Sequence, residues 1–319
     1  MKRPIIIDTD PGQDDAIAIM LAVASPDELD IRGIVAVAGN VELAHAEENA
    51  RRICRLADPT NRLGLRIYAG RAEPIRRKLV TSGGFHGADG LRGLTLPAPR
   101  LPLQPENGID FLVDSLRNAE PPGIVICALG PLTNIAAAVE RDPKVVRGVR
   151  ELVMMGGAHF AGGNVTPVAE FNVHVDPEAA KIVLAELTTA GVPITMMPLD
   201  VTHKALSTAQ RIARFRALGN ACGKATADLL DATGYDLGKR GWAGAPLHDP
   251  CVIAYLLNPK LFAGRKVNVD VSIADPLTLG MTVVDWWSVT QRPANVDFMS
   301  EIDADGYYGL LTERIARLP

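Results

Sequence analysis

Short apolar runs alternate with longer helical patterns through the first two thirds of the chain, and that alternation leaves few folds open. The runs are Ile5-Ile6-Ile7, Ile31 to Val37, Gly123 to Ala128, Glu151 to Met155 and Pro193 to Met197. Between and after them, Gln13 to Ala24, Leu43 to Leu56, Leu132 to Arg141 and Asp176 to Leu187 space their apolar residues three and four apart, as one face of a helix does. The runs are continuously apolar, which is the pattern of strands buried on both faces. Together they predict an α/β fold with an open, mostly parallel sheet flanked by helices. With 47% apolar residues among 319, the chain can bury a sizeable core. No repeat or interdomain linker interrupts it, so residues 1–319 are expected to form one domain.

Beyond Arg265 the alternation of Val267 to Val271 and the stretch Met281 to Trp287 predict a small antiparallel C-terminal extension, closed by a helix over Asp303 to Leu318. Two long segments depart from the rhythm. Arg71 to Pro105 is rich in Gly and Pro and contains Phe85-His86-Gly87, the composition of a lid or binding loop. Leu206 to Ala245 reads as helical and then Gly-rich, ending at His248-Asp249-Pro250.

A net charge of −4, with 33 basic residues spread along the chain, leaves no footprint for nucleic acid. Arg76-Arg77-Lys78 reads as a solvated loop face. No stretch reaches the length of a membrane span, and Met1 to Pro4 lead into a strand without a secretory signal. Cys54, Cys127, Cys222 and Cys251 have no paired spacing, which suits buried free thiols in a reducing cytoplasm.

Ligands of open α/β sheets bind outside the carboxyl ends of the strands, and there the sequence concentrates its polar residues. Asp8, Asp10, Asp14 and Asp15 follow the first run around a Pro11-Gly12 turn. Helix capping accounts for one or two of them. Four carboxylates this close repel one another unless a cation lies among them, and a hard divalent ion with oxygen ligands is expected, calcium ahead of magnesium. Further on, Asn164, Glu170 and Asn172 share one loop. Glu170 and Asn172 are two apart, so an extended segment turns both to one side, a geometry suited to a polyhydroxyl ligand. Taken alone, Asp249 reads as an N-cap and His248 as an exposed loop residue; His86 is a lone histidine in a Gly-rich loop. The glycine clusters match neither a P-loop nor a dinucleotide fingerprint, and no Gly-x-Ser-x-Gly elbow is present.

Asp8 to Asp15, Ala38-Gly39-Asn40, His86-Gly87, Gly130 to Asn134, Met155-Gly156-Gly157, the Asn164/Glu170/Asn172 loop and His248-Asp249-Pro250, taken in this order, resemble the inosine-uridine-preferring nucleoside hydrolase family over essentially the whole chain. The resemblance implies an open α/β sheet, a calcium ion at its carboxyl edge and hydrolysis of the N-glycosidic bond of ribonucleosides. It implies Asp10, Asp15, Asp249 and the main-chain carbonyl of Leu129 as metal ligands, Leu129 standing where many relatives have threonine. Asp14, Asn40, Asn164, Glu170 and Asn172 fall on the positions that hold ribose hydroxyls, Asp10 on the general base and Asp8 on a supporting position behind the metal. Asp249 and His86 complete the expected substrate contacts. A carboxylate beside the metal can take a proton from the attacking water, while carboxylates and firmly held hydroxyls stabilise oxocarbenium character. His248 is the expected aid to the leaving base, with Trp242 and Tyr235 as stacking alternatives. Lys239-Arg240 carries no assigned role. The resemblance also implies a homodimer or homotetramer.

Two other readings bear on the same residues. A haloacid-dehalogenase-like phosphatase also has Asp-x-Asp after its first strand and would use Asp8 as nucleophile, leaving the later motifs without a part. A non-catalytic nucleoside- or ribose-binding protein would have lost the base or a metal ligand, and neither is missing.

Overall fold

Ile5, Ile6 and Ile7 are all fully buried, but they face two different cores: Ile5 and Ile7 pack into one and Ile6 into the other. Strand geometry sends successive side chains to opposite faces, and each isoleucine so buried contributes about 1.5–3 kcal/mol relative to an exposed one. The same division recurs in the neighbouring strands, with Val125, Cys127 and Val153 on the first side and Ile126, Ala128 and Leu152 on the second.

The structure is a computed structural model that describes residues 2–92, 94–232 and 236–319. Its strands are β1 (Arg3–Thr9), β2 (Leu29–Ala36), β3 (Ile67–Ala69), β4 (Ile124–Ala128), β5 (Val149–Met155), β6 (Ile194–Met197), β7 (Leu206–Thr208), β8 (Gly244–Pro246), β9 (Phe262–Val271), β10 (Thr282–Asp285) and β11 (Val296–Ile302). Nine of them form one sheet in the order β10-β9-β11-β6-β5-β4-β1-β2-β3, and β7 and β8 form a separate two-stranded ribbon. Pairing is parallel from β3 across to β11 and antiparallel for β11 with β9 and β9 with β10. Helices Gln13–Val23, Leu43–Ala57, Ala221–Asp231, Pro250–Leu257 and Ala304–Ile315 supply the first core, and Gly108–Arg117, Thr133–Arg141 and Pro177–Thr189 the second. Among the described residues no helix is long and apolar enough to cross a membrane.

The expected mostly parallel sheet is present, and the antiparallel C-terminal part is continuous with it. The link is β11, which the alternation did not single out: it inserts beside β6 in parallel and offers its other edge to β9. Leu206 to Ala245 is more divided than its sequence reads, because Leu206–Thr208 leaves the helical pattern to pair with Gly244–Pro246 before helices Ala209–Arg216 and Ala221–Asp231 begin. Arg71 to Pro105 is largely irregular apart from a short helix, Gly83–His86. All four cysteines are buried and free.

Candidate active site

From β1 the chain moves outward to β2 and β3, then returns to lay β4 against the other edge of β1 and continues to β5 and β6. The crevice beyond the carboxyl ends of β1 and β4 is therefore the topological switch point, where open α/β sheets bind ligands. Asp10 is the first residue after β1, and Leu129-Gly130 follow β4 directly.

Asp10 is fully buried. Its Oδ2 accepts the Asn40 main-chain N–H at 2.6 Å, while Oδ1 has no donor among the described residues. Asp15 is tightly held: Oδ1 accepts from the Thr9 hydroxyl at 2.6 Å, and Oδ2 from Gly12 N at 2.9 Å and Asn40 Nδ2 at 3.3 Å. Asp249 occupies the N-cap position of helix Pro250–Leu257, yet its side chain caps nothing there. It joins Asp14 and Asp15 instead, each offering a carboxylate oxygen within 4.8 Å of the others. That removes the reading of Asp249 as an ordinary cap.

Burial, then the charge of Asp15, raises the Asp10 carboxyl well above its usual range; burial, then Asp14, does the same to Asp249. Asp14 and Asp15 are raised too, chiefly by burial. Oxygen donors that are buried, mutually repelling and left with an unpaired acceptor fit a hard divalent cation. The Leu129 carbonyl accepts from Asn172 Nδ2 at 2.7 Å, and a carbonyl oxygen keeps a second lone pair.

A cavity of about 640 Å³ opens over this cradle. Asp14, Asn40, Asn164, Glu170 and Asn172 line it, as do His86, Leu129, His248 and Asp249. So do Gln13, Leu229, Leu230, Lys239 and Arg240. The last two had no expected part. Volumes of this order suit a small-molecule ligand.

The loop expected to be extended turns helical after Glu170. Glu170 is the N-cap of helix Phe171–Val175, its carboxylate accepting main-chain N–H groups of Asn172 at 2.9 Å, Gly157 at 3.0 Å and Val173 at 3.3 Å. Both side chains still reach the cavity, but through a cap and a first helical turn rather than strand alternation. Burial pushes the Glu170 carboxyl up to about 7 against these three donors.

His248 Nδ1 bonds the Thr202 hydroxyl at 2.8 Å, which fixes the ring's orientation. The ring is buried, contrary to the exposed-loop reading, and burial followed by the neighbouring His203 lowers its pKa well below the usual value. His86 is likewise buried, and burial brings it down to about 4 with Asp15 opposing. Trp242 is not among the cavity-lining residues; it packs on His203, ring centroids 4.8 Å apart, with the Arg240 guanidinium 4.9 Å from its own centroid. Tyr235 lies outside the described residues. Asp8 is fully buried, accepts from Asn134 Nδ2 at 2.8 Å and, like Asp10 and Asp15, is not among the cavity-lining residues.

Sequence reasoning passed over Thr9, Thr202 and Gln13. A hydroxyl six positions before Asp15 and in the same strand end offered some signal for Thr9; Thr202 had none, since its partner comes from a distant segment.

The inosine-uridine preferring nucleoside hydrolase family model matches residues 5–309. An uncharacterized protein of Schizosaccharomyces pombe is 47% identical over 99% of both chains, and the pyrimidine-specific ribonucleoside hydrolase RihA of Salmonella typhimurium is 41% identical, again over 99% of each. Among solved structures, a purine-preferring ribonucleoside hydrolase from Gardnerella vaginalis superposes with a TM-score of 0.88 at 29% identity over 98% of both chains. A plant nucleoside hydrolase gives 0.88 at 30% identity over 99% of both. With its carboxylate cradle at the switch point of the sheet, the chain belongs to the inosine-uridine preferring nucleoside hydrolase family, enzymes that hydrolyse the N-glycosidic bond of ribonucleosides.

Proposed function

We propose that this ribonucleoside hydrolase is calcium-dependent, prefers pyrimidine ribonucleosides, and uses Asp10 as general base with His248 assisting departure of the nucleobase. The observation that carries the reading is the group of half-buried Asp14 with buried Asp15 and Asp249, together with an Asp10 Oδ1 that has no donor among the described residues, at a cavity of nucleoside size. Asp10, Asp15, Asp249 and the Leu129 carbonyl are the proposed ligands, with Asp14 shared between cation and ribose. So many protein oxygens suit calcium better than magnesium, which keeps more of its waters. When bound, the cation supplies Lewis acidity toward oxygen and neutralises the cradle.

Asp10 keeps one carboxylate oxygen with no hydrogen-bond donor among the described residues, an acceptor for the proton of attacking water. Asp14, Asn40, Asn164, Glu170 and Asn172 grip the ribose hydroxyls and orient the anomeric carbon. Negative charge near that carbon stabilises the oxocarbenium character that develops as the base departs. The pyrimidine preference is supported by the closer likeness to the pyrimidine-specific relative, 41% identical, than to the purine-preferring one at 29%. Buried free thiols support a cytoplasmic setting, and light scattering tests the homodimer or homotetramer that belongs to this reading. Strands from both ends of residues 1–319 share one sheet, as one domain requires.

The test follows reducing sugar released from uridine, cytidine, inosine and adenosine, with and without a chelator. Faster release from the pyrimidine nucleosides, abolished by chelation and restored by calcium, is the expected result; undiminished turnover in chelator removes the metal from the reading. Asp10→Ala should still bind nucleoside while kcat falls by about 10²–10⁴. Parental turnover by that variant overturns the assignment of the base.

A further inference from the structure

Gln13 sits inside the aspartate turn and lines the cavity, yet it is not a carboxylate. It is buried, 7% exposed, and opens helix Gln13–Val23. Its side chain crosses to another element: Nε2 donates to the Leu229 carbonyl at 2.8 Å and to the Ala232 carbonyl at 3.2 Å. These belong to the C-terminal end of helix Ala221–Asp231, where the last carbonyls have no partner within the helix. That helix has no basic residue in its last turn, so none of its own cations serves them there. One side chain from the aspartate turn therefore reaches two carbonyls at that helix end.

The place it ties down matters. Leu229 and Leu230 line the cavity, and the chain that continues past Ala232 brings Asp236, Lys239 and Arg240 to the same cavity before β8 and His248. Helix Leu237–Arg240 buries none of its residues, so this stretch has little core of its own to hold it. Its downstream end is fixed where Asp249 joins Asp14 and Asp15. Its upstream end is fixed by Gln13, the immediate neighbour of Asp14. Leu229 and Asp249 are thus both referred to the first turn of helix Gln13–Val23, through Gln13 and through Asp14 and Asp15.

We propose that Gln13 is a positioning residue that sets the wall formed by Leu229, Leu230, Asp236, Lys239 and Arg240 against the carboxylate cradle, and so governs how the nucleobase, but not the ribose, is held. This rests on the proposed placement of ribose on the Asp14/Asn164/Glu170/Asn172 side of the cavity. A nucleoside spans both sides, so a loose wall weakens its binding, whereas free ribose engages only the cradle. Misplacing a positioning group by about 1 Å costs rates on the order of 10²-fold, and a partial loosening costs less.

Two variants, one that keeps the side chain's shape and one that removes it, separate the donor from the packing. Gln13→Glu keeps the shape and turns an acceptor toward the two carbonyls; Gln13→Ala removes the group. Both should raise KM for uridine about tenfold and alter the ratio of kcat/KM between uridine and inosine, while the inhibition constant of free ribose stays within about twofold of the parent. Hydrogen–deuterium exchange of the ligand-free variants should show faster exchange over 229–242 than in the parent, with helix Gln13–Val23 unchanged. Equal shifts for nucleoside and ribose, or a drop in melting temperature with unchanged KM values and unchanged exchange over 229–242, would overturn the proposal. If the parent releases ribose from no nucleoside, the functional reading fails, and the exchange comparison still decides whether Gln13 tethers the wall.

Discussion

Asp10 occupies a slot that two glycines leave open. A Cβ on Gly39 would stand 2.1 Å from Asp10 Oδ2, and one on Gly130 would stand 2.4 Å from Oδ1. Neither oxygen has room to retreat, because the whole side chain is buried. Gly39→Ala is therefore expected to displace the carboxylate, lowering stability by about 1–3 kcal/mol through overpacking and kcat by about 10²-fold through misplacement. Thermal denaturation and ribose release measure the two effects, and an alanine variant with parental kcat would show that Asp10 does not need this slot. The carboxylates themselves were legible, since four acids at one strand end have few structural uses. The glycines were not. Their necessity arises from contacts made after β1, β2 and β4 have come together, and a glycine beside an asparagine or a proline reads locally as a turn. His248 shows the same limit: next to Asp249 it could be named, but its orientation depends on Thr202, whose hydroxyl is brought by another element.

Elements that never touch the cavity hold its loops in place. Asp200, in helix Leu199–Thr202 beyond β6, accepts main-chain N–H groups of His159 at 2.8 Å, Phe160 at 2.7 Å and Ala161 at 3.3 Å. That fixes the exit of the chain from β5, just ahead of the loop bearing Asn164 and Glu170. Asp200→Ala hands three part-buried main-chain donors to water, an expected cost of about 0.5–1.5 kcal/mol. Because the loop carries proposed ribose contacts, KM should rise about tenfold or more while calcium binding, read by thermal shift, is retained. Loss of calcium binding in that variant would place Asp200's influence in the cradle instead of the loop. A second anchor corrects the reading of Arg76-Arg77-Lys78 as a solvated face at Arg77, while Arg76 and Lys78 are exposed. Arg77 makes a bidentate pair with Glu178, 2.7 Å at its shortest, and also donates to the Ile273 carbonyl, while Asp176 accepts from Ile75 N and the Thr133 hydroxyl. The alternation of strands and helices was readable because burial imposes a period on the sequence. Loop anchors impose none, so a charged run gives no sign of which member turns inward.

At the scale of the molecule, the last helix buttresses the segment that delivers His248 and Asp249. Ala304–Ile315 contributes Tyr307 and Tyr308, both fully buried. The Tyr308 hydroxyl lies 2.7 Å from the Ser207 hydroxyl and donates to the Ala205 carbonyl at 3.1 Å; that carbonyl also accepts from Leu247 N at 2.9 Å. Tyr307 reaches the Leu247 carbonyl at 3.4 Å. Ser207 is the middle residue of β7, whose partner β8 runs into Leu247 and His248. A polar contact between the end of the chain and the β7–β8 ribbon is thus built under the site, with no trace in the local sequence of either partner. Removing one hydroxyl leaves the other buried with a partner missing, so Ser207→Ala and Tyr308→Phe should each destabilise by about 1–3 kcal/mol. Removing both deletes the unsatisfied group as well, so the double variant should cost less than the sum, with a coupling of about 0.5–3 kcal/mol. Denaturant unfolding of the four proteins gives the cycle. Strict additivity would mean that the two hydroxyls act independently and that the helix supports the ribbon through packing alone.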